Sequence, residues 1–275
     1  MPEGDSIYRA AVKLRPLTGQ VITRSDFRIP SLATQDLTGA TVLETVPHGK
    51  HLLTRLETLS GAGRPARRLT LHTHLKMEGT WTVAPQGSRW RRPWHTARVV
   101  LHTDTLEAVG FQVLLDLVPT EAEERLVGHL GPDLLDPGWS DEHAREAEAN
   151  LATHPEAPLG EALLEQRHLA GVGNVFKSEI CFLTGLHPTT RVADVPDLAA
   201  VVATARAQLD ANKDRPFRTT TGDQRAGRRY WVYGRTGPCL RCGTRVVKRD
   251  LGPVGRQRPT SWCPTCQPAP TPRPT

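Results

Sequence analysis

No apolar run in the 275 residues is long enough to span a bilayer, and the first residues lack the basic-then-apolar order of a secretory signal. Both absences point to a cytoplasmic protein with no membrane partner. No internal repeat is present, so a repeat architecture is excluded and the length allows two domains with a small appendage. Acidic residues are nearly missing from the C-terminal part. From Lys213 to Thr275 there are 14 Lys and Arg against 3 Asp and Glu, a local +11, whereas the rest holds 21 against 26, or −5. That asymmetry fits a polyanion-binding C-terminal part, and 12 of the 14 cations are arginine, whose planar fork suits phosphate oxygens. The rival reading is a merely solvated basic tail.

Residues 5–14 pattern as a short amphipathic helix, with Ile7, Ala11 and Leu14 on one side and Pro16 beyond it. Strand-like segments follow at 41–46, 50–56, 69–75 and 97–103, short and separated by Gly, Pro and Ser. They predict an antiparallel sandwich or barrel with the first helix alongside. Helical patterns take over near 117–126, interrupted by the loop-like GPDLLDPGWS at 131–140. A helix is predicted within 194–210, capped by Asp194 or Asp197, with Leu198, Val201, Val202, Ala205 and Leu209 as its apolar stripe. The fold class expected is α+β. Its parts are an N-terminal β-sandwich domain (1–118), a helical domain (119–217), a C-terminal zinc-ribbon hairpin (218–267) and a disordered tail (268–275).

Four of the five cysteines form two pairs, Cys239 and Cys242 in CLRC, and Cys263 and Cys266 in CPTC, with twenty residues between the pairs. Two such knuckles can hold one structural Zn²⁺ per chain. Disulfides are unexpected in a cytoplasmic chain, and a redox pair needs only one C-x-x-C. Cys181 is left as a buried thiol. Between the knuckles lie Arg245, Lys248, Arg249, Arg256 and Arg258, a basic hairpin suited to nucleic acid or to a protein partner. A second candidate is GVGN at 171–174, between two helix-like runs. Gly171 and Gly173 allow close backbone approach, and a helix starting near Asn174 offers amides to an anion. The opening Met-Pro-Glu is a third. With Met1 removed, Pro2 carries a secondary amine able to attack an aldehyde-level carbon, with Glu3 beside it to move protons.

PEG at the start, GKHLL (49–53), HLKMEGTW (74–81), LLEQRHLAGVGNVFKSEICF, YGRTGPCLRCGT and RPTSWCPTCQ together resemble the formamidopyrimidine-DNA glycosylase and endonuclease VIII family, in order along nearly the whole chain. The likeness is greatest to the endonuclease VIII branch, in particular its actinobacterial forms. The resemblance implies a sandwich followed by a helix–two-turn–helix domain and a zinc finger, with damaged DNA, double- or single-stranded, in a cleft. It implies a monomer that is nucleoid-associated when bound to DNA. It also implies a bifunctional DNA glycosylase and AP lyase working by β,δ-elimination. Pro2 would be the nucleophile, Glu3 the acid/base and Lys50 an auxiliary cation. Asn174, Gly173 and Arg258 would lie at the phosphates, with Arg258 also aiding the chemistry, and Met77 would be the wedge that fills the vacated stack.

Three departures from the family pattern bear on void filling, on a proton relay and on substrate. The Gln-Leu-Tyr wedge of endonuclease VIII relatives is absent, and LEAVGFQV (106–113) lacks the arginine of the other branch, leaving Phe111 as a stand-in. Ser6 stands where an acidic residue is frequent, with Asp5 next to it. The stretch between Thr219 and Tyr230 is short for an 8-oxoguanine lid. Oxidised pyrimidines are therefore the expected substrates. The alternatives are 8-oxoguanine, formamidopyrimidine or crosslink lesions and, from other classes, a non-catalytic zinc-ribbon repair protein or an RNA-binding factor.

Overall fold

The computed structural model describes residues 1–59 and 65–270, and the chain divides into two compact units, Met1–His129 and Leu130–Thr275. The end of the tail expected to be disordered, 271–275, lies outside the described residues. The fold is α+β.

The first unit opens with α1 (Gly4–Leu14) and continues through eight strands: β1 (Arg24–Phe27), β2 (Thr41–His48), β3 (His51–Glu57), β4 (Arg68–His74), β5 (Thr80–Pro85), β6 (Ala97–His102), β7 (Leu106–Phe111) and β8 (Leu114–Pro119). They form two antiparallel sheets of order β2-β3-β4-β8 and β1-β6-β7-β5. One core joins them: Leu52, Leu56, Leu71 and Leu115 from the first sheet meet Phe27, Trp81, Val99 and Leu101 from the second, with Ile7, Ala11 and Leu14 of α1. Burial of that apolar surface is the main stabilising contribution. Gly110 is fixed by the packing, since a Cβ there would lie 2.9 Å from Val99 and 3.2 Å from Trp81.

Sequence patterning located α1 and four strands to within two residues but not β1, β5, β7 and β8. One boundary shift matters. Lys50, expected at the start of a strand, sits with Gly49 in the two-residue turn between β2 and β3, where His48 pairs with His51. Gly49 has φ 55°, which glycine takes without strain at the first position of such a turn. A single-turn α2 (Glu124–Val127) ends this unit. It is tied back by Glu123, which accepts two hydrogen bonds from Arg55 at 2.9 and 2.8 Å.

The second unit contains α3 (Asp141–Ala152), α4 (Leu159–Ala162), α5 (Asn174–Leu183), α6 (Leu198–Lys213) and the hairpin β9 (Val247–Leu251) and β10 (Arg258–Trp262). Asp197 rather than Asp194 caps α6, accepting from the Ala200 amide at 2.8 Å. The run before GVGN is not a continuous helix. α4 is one turn, and Gln166 then replaces helical bonding. Its Nε2 donates to Leu164 O (2.7 Å) and Val172 O (3.0 Å), and its Oε1 accepts from the Gly171 amide (3.1 Å). One carboxamide thus braces both turns before α5.

Candidate active site and phosphate site

In the first unit the site grows from the start of α1. Glu3 is 0 % exposed, and its carbonyl accepts from the Ser6 and Ile7 amides at 2.8 and 3.1 Å, so its backbone begins the helix while its carboxyl group is held inside the protein. Pro2, before it, is half-buried. Asp5, the acid nearest the Ser6 position, is engaged elsewhere: it is buried, pairs with Arg9 at 3.0 Å and accepts from Ser6 at 3.3 Å. α1 packs against β2 and β3, whose connecting turn carries Lys50.

Around that turn the first sheet gathers histidines that sequence reading missed. His51 pairs in register with His48 and with His74, and His72 with Asp116. His51 Nδ1 is hydrogen-bonded to His72 Nε2 at 2.8 Å, and His72 Nδ1 to Asp116 at 3.1 Å. Burial pushes the His51 pKa down to about 3, helped by repulsion from His72, His74, His129 and His48. Burial likewise takes His74 to about 4, with Lys76, His72 and Lys50 adding repulsion. A histidine held below its ordinary 6.5 stabilises the fold fully above that value, and the contribution is lost as pH falls through the window from 6.5 towards 3–4. The melting temperature should therefore drop on acidification from pH 7 to about 4.5. His51→Gln should flatten that drop in thermal denaturation followed across the pH range, and an unchanged profile would exclude His51 as a source.

His74 leads into the tight turn that carries the wedge candidate. Gly79 N bonds Leu75 O at 2.8 Å, Lys76 has φ 48°, and Met77 at the tip is 61 % exposed. Phe111 does not serve as a stand-in. It is 1 % exposed, in a cluster with Ala97, Val100 and Val109, under the edge of Trp90. The neighbouring exposed group is Arg92, which donates to Glu78 O (3.4 Å) and Gln112 Oε1 (3.1 Å).

In the second unit α5 and the C-terminal hairpin are joined by side chains. Asn174, the first residue of α5, donates from Nδ2 to Pro259 O at 2.7 Å. Its Oδ1 accepts from Lys177 Nζ at 2.7 Å, and the same Nζ donates to Thr260 Oγ1 at 2.7 Å. Lys177 is buried one helical turn behind Asn174 and fixes its carboxamide. Arg258 is exposed at the start of β10, beside the peptide that Asn174 holds. The structure therefore brings Asn174 and Arg258 together. Gly171 has φ 110°, a conformation that requires glycine, whereas Gly173 is the extended N-cap of α5, which other residues can adopt.

Glu179, further along α5, is 0 % exposed and anchors the chain leading into the cysteines. It accepts from the Trp231, Val232 and Tyr233 amides at 2.8, 2.9 and 2.7 Å and from the Thr220 hydroxyl. Burial raises its pKa against the pull of these four donors. The four cysteine sulfurs lie within 4.8 Å of one another. Tetrahedral thiolates at a zinc–sulfur distance of about 2.3 Å stand roughly 3.8 Å apart, so this donor set fits a closed metal site. Cys181 is buried, with its pKa pushed up to about 12 by burial, as a structural thiol requires.

Residues 1–113 match the family model described as the formamidopyrimidine-DNA glycosylase N-terminal domain. The chain is 52 % identical to a probable endonuclease 8 2 of Streptomyces coelicolor, covering 100 % of this chain and 96 % of that one. It is 44 % identical to the DNA-(apurinic or apyrimidinic site) lyase Nei2 of Mycolicibacterium smegmatis, over 98 % and 100 %. Among solved structures, the Lactococcus lactis Fpg bound to DNA containing N7-benzyl-Fapy-dG has a TM-score of 0.76 at 20 % identity, covering 98 % of this chain and 100 % of that one. With its buried Glu3, its α5–β10 junction and its four-cysteine cluster, the chain belongs to the formamidopyrimidine-DNA glycosylase and endonuclease VIII family.

Proposed function

We propose that this protein is a DNA glycosylase with AP lyase activity that removes oxidised bases, pyrimidines foremost, and nicks the strand through Pro2. The observation that carries the reading is the fully buried Glu3 carboxyl group next to Pro2 at the start of α1. With Met1 removed, the Pro2 nitrogen attacks C1′ of the damaged nucleoside. The N–C1′ bond forms as the C1′–base bond breaks, and the base leaves with the electron pair and takes a proton. Glu3 protonates the ring oxygen as the sugar opens, giving an iminium ion between Pro2 and C1′. The iminium acidifies C2′–H; loss of that proton expels the 3′ phosphate, and a second elimination expels the 5′ phosphate.

Lys50, on its short turn, stabilises the departing phosphate. Asn174 and Arg258 hold the phosphates flanking the lesion. A primary amide has a second N–H for this beyond the one that Pro259 takes. Met77 occupies the gap left by the extruded nucleotide. Zn²⁺, one per chain, would be held by Cys239, Cys242, Cys263 and Cys266 in a structural role, fixing the basic hairpin. Three regions divide the work: 1–118 for chemistry, 119–217 and 218–267 for DNA. The protein acts as a monomer.

The test is borohydride trapping of the processed protein with DNA carrying thymine glycol, an abasic site or 8-oxoguanine. A covalent adduct strongest on the first two is expected. Tight DNA binding with no adduct on any of the three would favour the non-catalytic alternative.

A further inference from the structure

We infer that the loop joining β5 to β6, residues 86–96, is a separate surface for single-stranded DNA, stacking an unpaired base on Trp94 and holding adjacent phosphates on Arg89 and Arg91. The inference rests on the reading of the chain as a DNA-acting protein, but not on its chemistry.

Residues 79–103 contain no Asp or Glu and include Arg89, Arg91, Arg92 and Arg98, within a part of the chain that is acidic up to residue 212. The two tryptophans of this loop differ sharply. Trp90 is an anchor: its Nε1 donates to Glu107, its ring meets Phe111 edge-on at 5.7 Å, and the Arg28 guanidinium covers it at 5.3 Å. Trp94 is 72 % exposed, the highest of any described Trp, Phe or Tyr. Its backbone is nevertheless fixed. The Thr96 amide and hydroxyl both donate to Pro93 O, at 3.0 and 2.6 Å, and the Gln112 amide donates to Thr96 O at 2.8 Å. An indole displayed on a rigid turn pays little ordering entropy when a base stacks on it.

The occupant follows from chemistry. Nearby arginines select a polyanion, and an exposed indole, with the His95 ring edge-on at 6.3 Å, selects a flat ring. A duplex hides its base faces, so the matching ligand is an unpaired base in a single strand. The surface also continues from the wedge: Arg92, in the same loop, hydrogen-bonds Glu78 O next to Met77. A strand reaching Met77 can therefore run on to Trp94.

Binding of an unmodified oligothymidylate and of a duplex of equal length should be measured by fluorescence anisotropy for wild type, Trp94→Ala, Trp94→Phe and the double variant Arg89→Gln/Arg91→Gln. Trp94→Ala should weaken the single strand about ten-fold and the duplex less than about two-fold, and Trp94→Phe should keep most of the affinity. The arginine variant should reduce the salt slope for the single strand by about 1.4. Unchanged single-strand affinity in Trp94→Ala, or equal loss on both ligands, would overturn the inference. Borohydride trapping on the same variants separates the two readings. Loss of single-strand binding in Trp94→Ala, in a protein that never traps, would leave this surface standing and the catalytic reading fallen. Normal trapping with unaltered strand binding would do the reverse.

Discussion

Glu3→Gln should lower excision of an oxidised pyrimidine by at least about 100-fold, the range for losing a positioned acid/base. It should do so without unfolding α1. The helix start depends on the Glu3 carbonyl, which accepts the Ser6 and Ile7 amides, and glutamine keeps that carbonyl and the side-chain volume. The loss should be smaller on an abasic site, because part of that substrate is already an open aldehyde and needs no ring-opening acid. Single-turnover cleavage on both substrates, with melting temperature as the folding control, decides the matter. Equal small losses on both would mean that the buried carboxyl group is structural.

Glu179→Ala should destabilise the protein by about 3–5 kcal/mol, since it strips the shared acceptor from three amides and a hydroxyl in a dry setting. For a chain of this size that is roughly a 10 °C fall in melting temperature. Glu179→Gln should lie between, because an amide oxygen still accepts two donors while its NH2 confronts the others. A melting temperature within about 1 °C of wild type for the alanine variant would show that water replaces the carboxylate at little cost. The segment it holds, Trp231 to Tyr233, leads directly into Cys239, so metal retention should fall with stability.

How much of this was legible in sequence depends on whether the signal was local. Pro2-Glu3, GVGN and the two cysteine pairs are contiguous and stand out by residue type and spacing, whereas Lys50 and Met77 were legible only through the family resemblance, and the turn that carries Lys50 reads as strand. Lys177 and Glu179 were not singled out in the sequence. Besides Asn174, Lys177 bonds Thr260, 83 residues away, and Glu179 bonds the Thr220 hydroxyl, 41 away, and backbone amides 52 to 54 away that carry no residue-specific mark. Gln166 was hidden for the same reason, since its bonds to Leu164, Val172 and Gly171 are all with backbone. The missed strands failed on pattern. β7 is buried on both faces from Glu107 to Phe111 and contains Gly110, so it shows no alternation. β5 and β8 both end in proline. Phe111 entered only by its correspondence to the aromatic of the other branch, and its burial beneath Trp90 is set by packing that the stretch LEAVGFQV does not show.

The bond from Asn174 to Pro259 spans 85 residues, and that from Lys177 to Thr260 spans 83. Contacts of such long range form late, because the intervening chain must be ordered before they repay the cost of closure. Recovery of DNA binding on refolding is therefore expected no earlier than recovery of the contacts between α5 and β10.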